Sequence, residues 1–178
     1  LIVGPENDPA RIKGIEPEKS LLEVMRKGQG DPGRVWFVSR GDSSGTHARE
    51  KLLWRMGGQE YESVRNSGGW YLEAGAGMGA ILTLADEKSA YTLTDIGSYL
   101  AFKNNLSLVP LVDSGESLLN VYSAIAVNPE RHPDTNAYMT NKLIQLLTSE
   151  EVQDIIGTYG LSKYGVPLFT PTRGRDIQ

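Results

Sequence analysis

A polar segment between two apolar ones holds the residue types best suited to chemistry. Residues 39–47 read SRGDSSGTH and combine an arginine, several hydroxyls, two glycines and a histidine. Arginine offers a charged fork that matches two oxygens of a tetrahedral anion, and hydroxyls donate further hydrogen bonds. Glycines let the backbone approach a ligand closely. These residue types point to a small oxyanion as the ligand of this segment.

The flanking residues predict a strand before the segment and a helix after it. The run VWFV at 35–38 is apolar throughout, which is typical of a strand buried on both faces. From Ser44 or Gly45 to Met56 apolar residues recur at helical spacing, and two glycines follow. The start of a helix has unpaired N–H groups and the positive end of the helix dipole, and both favour an anion.

Three other interpretations of the same residues compete with an oxyanion site. Asp42 or Ser44 can simply cap the helix while Arg40 pairs with a carboxylate, and the residue types alone leave this alternative open. An adhesion role for Arg40-Gly41-Asp42 needs an exposed loop tip, whereas this triplet directly follows the buried run. A serine hydrolase needs an acid partner and an elbow such as G-x-S-x-G, which Ser44 to His47 does not match.

Two further segments can contribute to the same site. The glycines of GAGMGA, residues 75–80, fit a dinucleotide fingerprint, but the preceding strand is short and Asp95 opens a helix instead of ending a strand. We therefore favour a second helix start, with Gly77 lining a cleft. Thr94 ends the strand-like run AYTLT, where open α/β sheets place ligand contacts, and it is a second cleft-lining candidate. Asp95 itself is either a helix cap or part of the site.

Composition narrows the classes of function. The 178 residues are 39% hydrophobic and 22% charged, enough for one large domain or two small lobes. A net charge of −4 excludes the basic footprint of a nucleic-acid binder, so any anion site must be local. Without cysteine there is no thiolate or disulfide, and the two histidines lack ligand spacing; we expect no metal site and no cofactor. No apolar run reaches the length of a membrane span, so we expect no direct membrane insertion.

Apolar runs and helical stripes alternate along the chain, which predicts an α/β protein with a largely parallel sheet. The tryptophans fall on strand or helix faces and are expected in the core. The predicted strands are 1–3, 35–38, 70–72, 90–94, 106–112 and 121–127, and the predicted helices are 15–27, 44–56, 81–85, 95–103, 134–147 and 149–156.

Four segments, in this order and spacing, resemble the substrate-binding components of bacterial and archaeal tungstate ABC transporters. They are FVSRGDSSGTH at 37–47, the Gly69-Trp70-Tyr71 step, GAGMGAILTLADEKSAYTLTD at 75–95 and VYSAIAVNPERHP at 121–133. The resemblance implies a type II periplasmic-binding-protein (PBP) architecture, with two α/β lobes joined by two crossing strands and an oxyanion held between them. Residues 1–9 would be a crossing strand and a remnant of lobe 1, residues 10–120 lobe 2, and residues 121–178 the second crossing strand and helices returning to an incomplete lobe 1.

The resemblance also implies a set of site residues. The family's anion-binding arginine falls on Arg40 and its threonine on Thr46, with Ser39, Ser44 and Gly45 as neighbours. A Thr/Ser-rich loop that precedes this region in relatives is absent here. Where relatives have an arginine after the TLTD aspartate, this sequence has Ile96.

The implied function is a non-enzymatic, extracytoplasmic binding protein that delivers tungstate, or the related molybdate, to an ABC-transporter permease. Membrane tethering through an absent segment and self-association of the chain are further expectations. R-x-D-x-S-G-T at 40–46 also resembles the loop of phosphate-binding proteins, so phosphate or sulfate binding is an alternative. The ligand-sensing domain of an intracellular transcription regulator is another.

Overall fold

The computed structural model describes residues 1–172, which form two compact units. Unit 1 comprises Leu1–Leu119 and unit 2 begins at Asn120. The strands are β1 (Ile2–Gly4), β2 (Phe37–Ser39), β3 (Tyr71–Glu73), β4 (Thr92–Leu93) and β5 (Val109–Val112). The helices are α1 (Pro17–Gly30), α2 (Gly45–Met56), α3 (Tyr61–Arg65), α4 (Met78–Glu87), α5 (Ile96–Phe102), α6 (Ala137–Leu147), α7 (Glu150–Thr158) and α8 (Leu161–Tyr164). Short 3₁₀ turns occupy Lys103–Asn105 and Glu116–Leu118.

The sheet of unit 1 is mixed, so the prediction of a largely parallel sheet is only half right. β2 and β3 are parallel, and a parallel bridge between Phe37 and Tyr91 brings β2 beside the start of β4. β1, however, runs antiparallel to both of its neighbours, β4 and β5. The residues of β1 are buried along their length. A fully buried apolar strand reads the same in either direction, so its sequence does not encode its orientation.

The parallel part of the sheet sets the position of three helix starts. β2, β3 and β4 point the same way, so their carboxyl ends lie at one edge of the sheet. Each strand is followed by a helix: α2 after β2, α4 after β3 and α5 after β4. The amino ends of these helices therefore meet at the edge where open α/β sheets bind ligands.

An aromatic cluster forms much of the core beneath that edge. Phe37 on β2 stacks on Tyr71 of β3 with ring centroids 5.8 Å apart, and Trp54 of α2 meets Phe37 edge-on at 6.0 Å. Trp70 packs against both Trp54 and Tyr71. The expectation of core positions is confirmed for Trp54 and Trp70, which are buried, whereas Trp36 is only partly buried.

Helix α1 packs so closely on this cluster that one position must be glycine-sized. The helix predicted for 15–27 was expected to end before Gly28, yet α1 continues to Gly30. A Cβ atom at residue 28 would lie 2.7 Å from Cβ of Trp70. Gly28 therefore serves close packing within a continuing helix and does not act as a terminator.

Unit 2 consists of helices α6, α7 and α8, and its described residues form no strand. The predicted strand 121–127 is wrong: these residues form no strand, and Tyr122 and Ile125 are 77% and 85% exposed. An apolar β-rich run becomes a strand only when a neighbour accepts its hydrogen bonds, and no described residue does so. Whether residues 1–3 and 121–127 are crossings between lobes stays a prediction.

Apolar side chains of unit 2 are largely exposed, in contrast to the core of unit 1. Among the described residues, the fully buried hydrophobic ones all belong to unit 1. Exposed examples on α6 are Tyr138, Met139, Leu143 and Leu146. No helix formed by residues 1–172 combines the length and apolar character needed to cross a bilayer.

Candidate functional site

The segment that carries the candidate chemistry is a tight loop between β2 and α2. Gly41 and Ser43 both have left-handed backbone conformations, with φ of 60° and 59°. Ser44 is the N-cap of α2, and its hydroxyl accepts a hydrogen bond of 3.3 Å from the His47 N–H. The sequence placed the start of α2 correctly, because a serine cap followed by Gly45 is a strong start signal.

Arg40 lies in this loop and pairs with Asp42, two residues further on. Nε and Nη2 of Arg40 donate to the same carboxylate oxygen at 3.1 and 2.5 Å. The other oxygen of Asp42 accepts the Ser44 N–H at 3.1 Å. Hydrogen bonds from Ser44 and then from Arg40 lower the pKa of Asp42 to about 2. This ion pair was the alternative that the residue types left open, and the structure contains it.

The first turn of α2 presents donors that have no acceptor among the described residues. The N–H groups of Gly45 and Thr46 are the first two of the helix, and an α-helix supplies no internal partner for them. The N–H of the third residue, His47, does have a partner, because it donates to the Ser44 hydroxyl. Gly45 is exposed, and a Cβ atom added there would meet nothing within 4 Å, so the helix start is open on the side of Gly45. Arg40, Gly45, Thr46 and Ser44 are thus brought together at one helix start.

Ser39 has a different environment from its neighbours. It is fully buried, and its hydroxyl donates to Oε2 of Glu50 at 2.7 Å. Oε1 of Glu50 accepts hydrogen bonds from Trp54 Nε1 at 3.1 Å and from the Tyr71 hydroxyl at 2.6 Å. Burial is the main cause of a raised pKa for Glu50. The Ser39 side chain is therefore held by the core and fixes the end of β2.

A second network runs from the buried His47 to the exposed residues Glu73 and Arg65 and underlies the loop itself. His47 Nδ1 accepts the Ser43 N–H at 3.0 Å, and Nε2 lies 2.6 Å from the Tyr61 hydroxyl. Tyr61 in turn donates to Glu73, which forms a 2.9 Å ion pair with Arg65. These partners were not predicted from the sequence. The one signal it contained is the spacing of His47, Glu50 and Trp54, which places two polar residues on the buried face of α2.

The glycine-rich entrance to α4 adjoins the first loop. The Ala74 N–H donates to the Ser39 carbonyl at 3.1 Å, and a Cβ at Gly41 would lie 3.0 Å from Cβ of Glu73. Gly77 is the N-cap of α4, has no side chain to cap it, and has open space around its Cα. A helix start next to the first loop is what we predicted for GAGMGA. Its contribution to binding stays a prediction.

Thr94 and Asp95 follow β4 at the same edge of the sheet. Thr94 is 3% exposed, and its hydroxyl donates to the Asp95 carbonyl at 3.2 Å. Asp95 caps α5 by accepting the Ser98 N–H at 2.8 Å, so the capping alternative is confirmed. Ile96 is the first residue of α5.

Other surface features lie elsewhere in unit 1. Two open depressions of about 400 Å³ are lined by residues of α1 and its approach, and by residues around Pro5 and Asp86. Within residues 1–172 no three His, Asp or Glu side chains are grouped so that they could hold a metal ion. His132 is exposed.

Comparison with known proteins agrees with the resemblance seen in the sequence. The model of the PBP superfamily domain matches residues 1–151. The tungstate-binding protein TupA of Peptoclostridium acidaminophilum is 39% identical over 175 residues, covering 98% of this chain and 58% of that protein. The tungstate-binding protein TupA of Campylobacter jejuni is 32% identical, with 95% and 60% covered.

Solved structures give the same result. The tungstate-binding protein TupA from Desulfovibrio alaskensis G20 superposes with a TM-score of 0.80 at 35% identity, covering 97% of this chain and 66% of that one. A tungstate ABC transporter structure from Geobacter sulfurreducens gives 0.65 at 38% identity, covering 89% and 63%.

The chain spans less than two thirds of the length of these curated relatives. The predicted PBP-like α/β fold and the resemblance to tungstate-binding proteins are both confirmed. With a family model that accounts for residues 1–151, the chain belongs to the PBP superfamily.

Proposed function

We propose that this chain is part of a solute-binding component of an ABC transporter and that it binds tungstate, or the related molybdate, at the start of α2. Arg40, the N–H groups of Gly45 and Thr46, and the Thr46 hydroxyl are the proposed ligands. Relatives that match nearly the whole chain are described as tungstate-binding proteins, which supports tungstate as the anion.

The observation that carries this proposal is the open first turn of α2 beside a guanidinium. Two adjacent N–H groups have no acceptor among the described residues, and the positive end of a 12-residue helix lies behind them. With a net charge of −4 the chain offers an anion no general attraction. Local donors must therefore supply the binding energy, and this turn provides them.

The pairing of Arg40 with Asp42 shapes how the arginine would act. Nε and one N–H of Nη2 are engaged by the carboxylate, which leaves Nη1 and the second N–H of Nη2 for a ligand. The carboxylate also fixes the plane of the guanidinium, so less conformational entropy is lost when an anion binds. We assign Asp42 the task of orienting Arg40 and Ser44.

The ionised state of Asp42 bears on which anion binds. At neutral pH its carboxylate is charged, because its pKa is about 2. Tungstate, molybdate and sulfate carry no proton at this pH and are repelled by a carboxylate that points at them. Monoprotonated phosphate has an O–H group that can donate a hydrogen bond to a carboxylate. Since both oxygens of Asp42 already accept hydrogen bonds from Arg40 and Ser44, we favour the unprotonated anions.

The other residues predicted for the site are assigned structural roles around the anion. Ser39 fixes the end of β2 through Glu50, and Ser44 caps α2. Gly77 keeps the neighbouring helix start accessible, and Thr94 is assigned to the wall of the site. The proposed protein is a binder and not an enzyme, acts outside the cytoplasm and delivers its anion to a membrane permease.

Parallel calorimetric titrations of the purified chain with tungstate, molybdate, sulfate and phosphate test this function. The proposal requires tungstate to bind, and to bind more tightly than phosphate. Tighter binding of phosphate would move the assignment to the phosphate-binding alternative. Absence of binding for all four anions would reject an oxyanion site in this chain.

A further inference from the structure

A buried histidine lies directly beneath the proposed anion loop. His47 is 3% exposed and occupies the third position of α2, one residue after Thr46. Its Nδ1 accepts the Ser43 N–H at 3.0 Å, so Nδ1 carries no proton. The ring proton must then be on Nε2, which donates to the Tyr61 oxygen at 2.6 Å. The Tyr61 hydroxyl in turn donates a hydrogen bond to Glu73.

The residue that His47 holds has an unfavourable backbone conformation. Ser43 has a φ of 59°, in the left-handed region that residues with a Cβ rarely adopt. It immediately precedes the N-cap Ser44, so its conformation determines where the first N–H groups of α2 point. The Ser43 N–H is directed at the imidazole and not at the open space in front of Gly45. This hydrogen bond compensates the local strain.

We propose that His47 is a positioning residue of the oxyanion site, whose neutral Nδ1 holds Ser43 in its left-handed conformation and so directs the Gly45 and Thr46 N–H groups at the anion. The inference rests on the proposed function for its role in binding. The hydrogen bond itself can be tested without any ligand.

The charges around His47 favour its neutral form. On its own helix, Lys51 lies 4.6 Å from the centre of the Tyr61 ring, and in the loop Arg40 is close enough to act on the histidine. Glu73 on β3 and Asp42 in the loop act in the opposite direction. Burial is the largest influence, and the net effect lowers the pKa of His47 below its ordinary value of 6.5. The ring is therefore neutral at pH 7.5, where the experiment is done.

Two substitutions separate the ring nitrogens. In His47→Asn, the amide oxygen reaches the position of Nδ1 and can accept the Ser43 N–H, but the contact with Tyr61 is lost. In His47→Gln, the amide reaches the position of Nε2 and can contact Tyr61, but nothing accepts the Ser43 N–H. The two variants are similarly polar, and both remove the ring.

Tungstate titration and amide hydrogen exchange by NMR then give the readouts. We expect His47→Asn to bind within about threefold of the wild type and His47→Gln about tenfold more weakly, as one lost hydrogen bond allows. In the absence of anion, the Ser43 amide should exchange slowly in the wild type and in His47→Asn, and rapidly in His47→Gln. Equal losses in both variants, or better binding by His47→Gln, would overturn the inference.

The tautomer of His47 can be measured without any ligand. The ¹⁵N spectrum of the wild-type ring should show an unprotonated Nδ1 and a protonated Nε2, and the reverse tautomer would overturn the inference even if a variant fails to fold. If the wild type binds no anion, the proposed function fails. In that case the ¹⁵N spectrum and Ser43 exchange still decide whether His47 holds the loop.

Discussion

Replacing Glu50 tests the buried network that fixes the end of β2. The carboxylate is 2% exposed and accepts hydrogen bonds from Ser39, Trp54 and Tyr71. Glu50→Ala removes the acceptor and leaves these donors buried. Tyr71 has a second partner 3.3 Å away in Tyr61, and Ser39 can turn its hydroxyl to Tyr71, so Trp54 is the donor left without a partner. A buried donor left unpaired costs about 1–3 kcal/mol, so unfolding should become easier by about that amount.

Glu50→Gln is the matched control. Its amide oxygen can still accept from Trp54 and Tyr71, and its NH₂ group can donate to the Ser39 oxygen, whose hydroxyl then turns. The side chain volume is unchanged and the buried charge is removed. We expect the free energy of unfolding to change by less than about 1 kcal/mol at pH 5.

Urea unfolding followed by tryptophan fluorescence measures both variants. All three tryptophans belong to unit 1, so their fluorescence reports on the unit that contains Glu50. If Glu50→Ala is as stable as Glu50→Gln, the three hydrogen bonds contribute nothing and the network does not fix β2.

The dependence on pH gives a second check of the same reasoning. Burial raises the pKa of Glu50 above its ordinary value of 4.5, so the folded chain holds this proton more tightly than the unfolded chain. The stabilisation from this group is complete below pH 4.5 and is lost as the pH rises through the folded pKa. Glutamine does not titrate, so the stability of Glu50→Gln relative to the wild type should increase as the pH rises above 4.5. A constant difference would contradict the raised pKa.

Three further predictions concern the site and the core. Thr46→Val keeps the shape of the side chain but removes a hydroxyl that is proposed to contact the anion, so tungstate affinity measured by calorimetry should fall about 2- to 10-fold; unchanged affinity would remove Thr46 from the site. Gly28→Ala places a Cβ atom 2.7 Å from Trp70 and should lower the free energy of unfolding by about 1–3 kcal/mol. The control Gly30→Ala meets no atom within 4 Å and should not lower it. Equal effects of the two variants in urea unfolding would contradict the close packing of α1 on Trp70. The lowered pKa of His47 means that the unfolded chain binds a proton at this ring more readily than the folded chain does. The free energy of unfolding of the wild type, relative to that of His47→Asn, should therefore fall as the pH drops below 6.5. A rise over that range would show that the buried ring accepts charge.

The boundaries of α2 were predictable because local signals determine them, whereas α4 extends beyond its predicted range 81–85 at both ends. Ser44 followed by Gly45 marked the start of α2, and the glycines after Met56 marked its end. The anion-favouring residues were recognisable for the same reason, since they are close in sequence.

The direction of β1 and the fate of 121–127 depend on which strands become neighbours, and a single apolar run does not contain that information. The partners of Glu50 were also missed. Tyr71 reaches Glu50 only because β2 and β3 pair in a register that places Phe37 beside Tyr71. Sequence spacing alone does not give that register.

The choice between a ligand site and a simple cap was open in the sequence, and the Arg40–Asp42 pair shows why. Both arrangements use the same residues. An arginine held by a neighbouring carboxylate fits either arrangement, and the two differ in anion affinity.

The most direct test is tungstate calorimetry on Arg40→Ala, with Arg34→Ala as the control. Arg34 is exposed, and its partner among residues 1–172 is Asp31 at 3.6 Å, so its loss changes the net charge equally without touching the loop. Loss of a charged hydrogen-bond donor of about 1.5–3 kcal/mol predicts that Arg40→Ala binds about 10- to 100-fold more weakly than the wild type. Arg34→Ala should bind as the wild type does. Equal affinities for all three proteins would contradict the assignment of the anion to the start of α2.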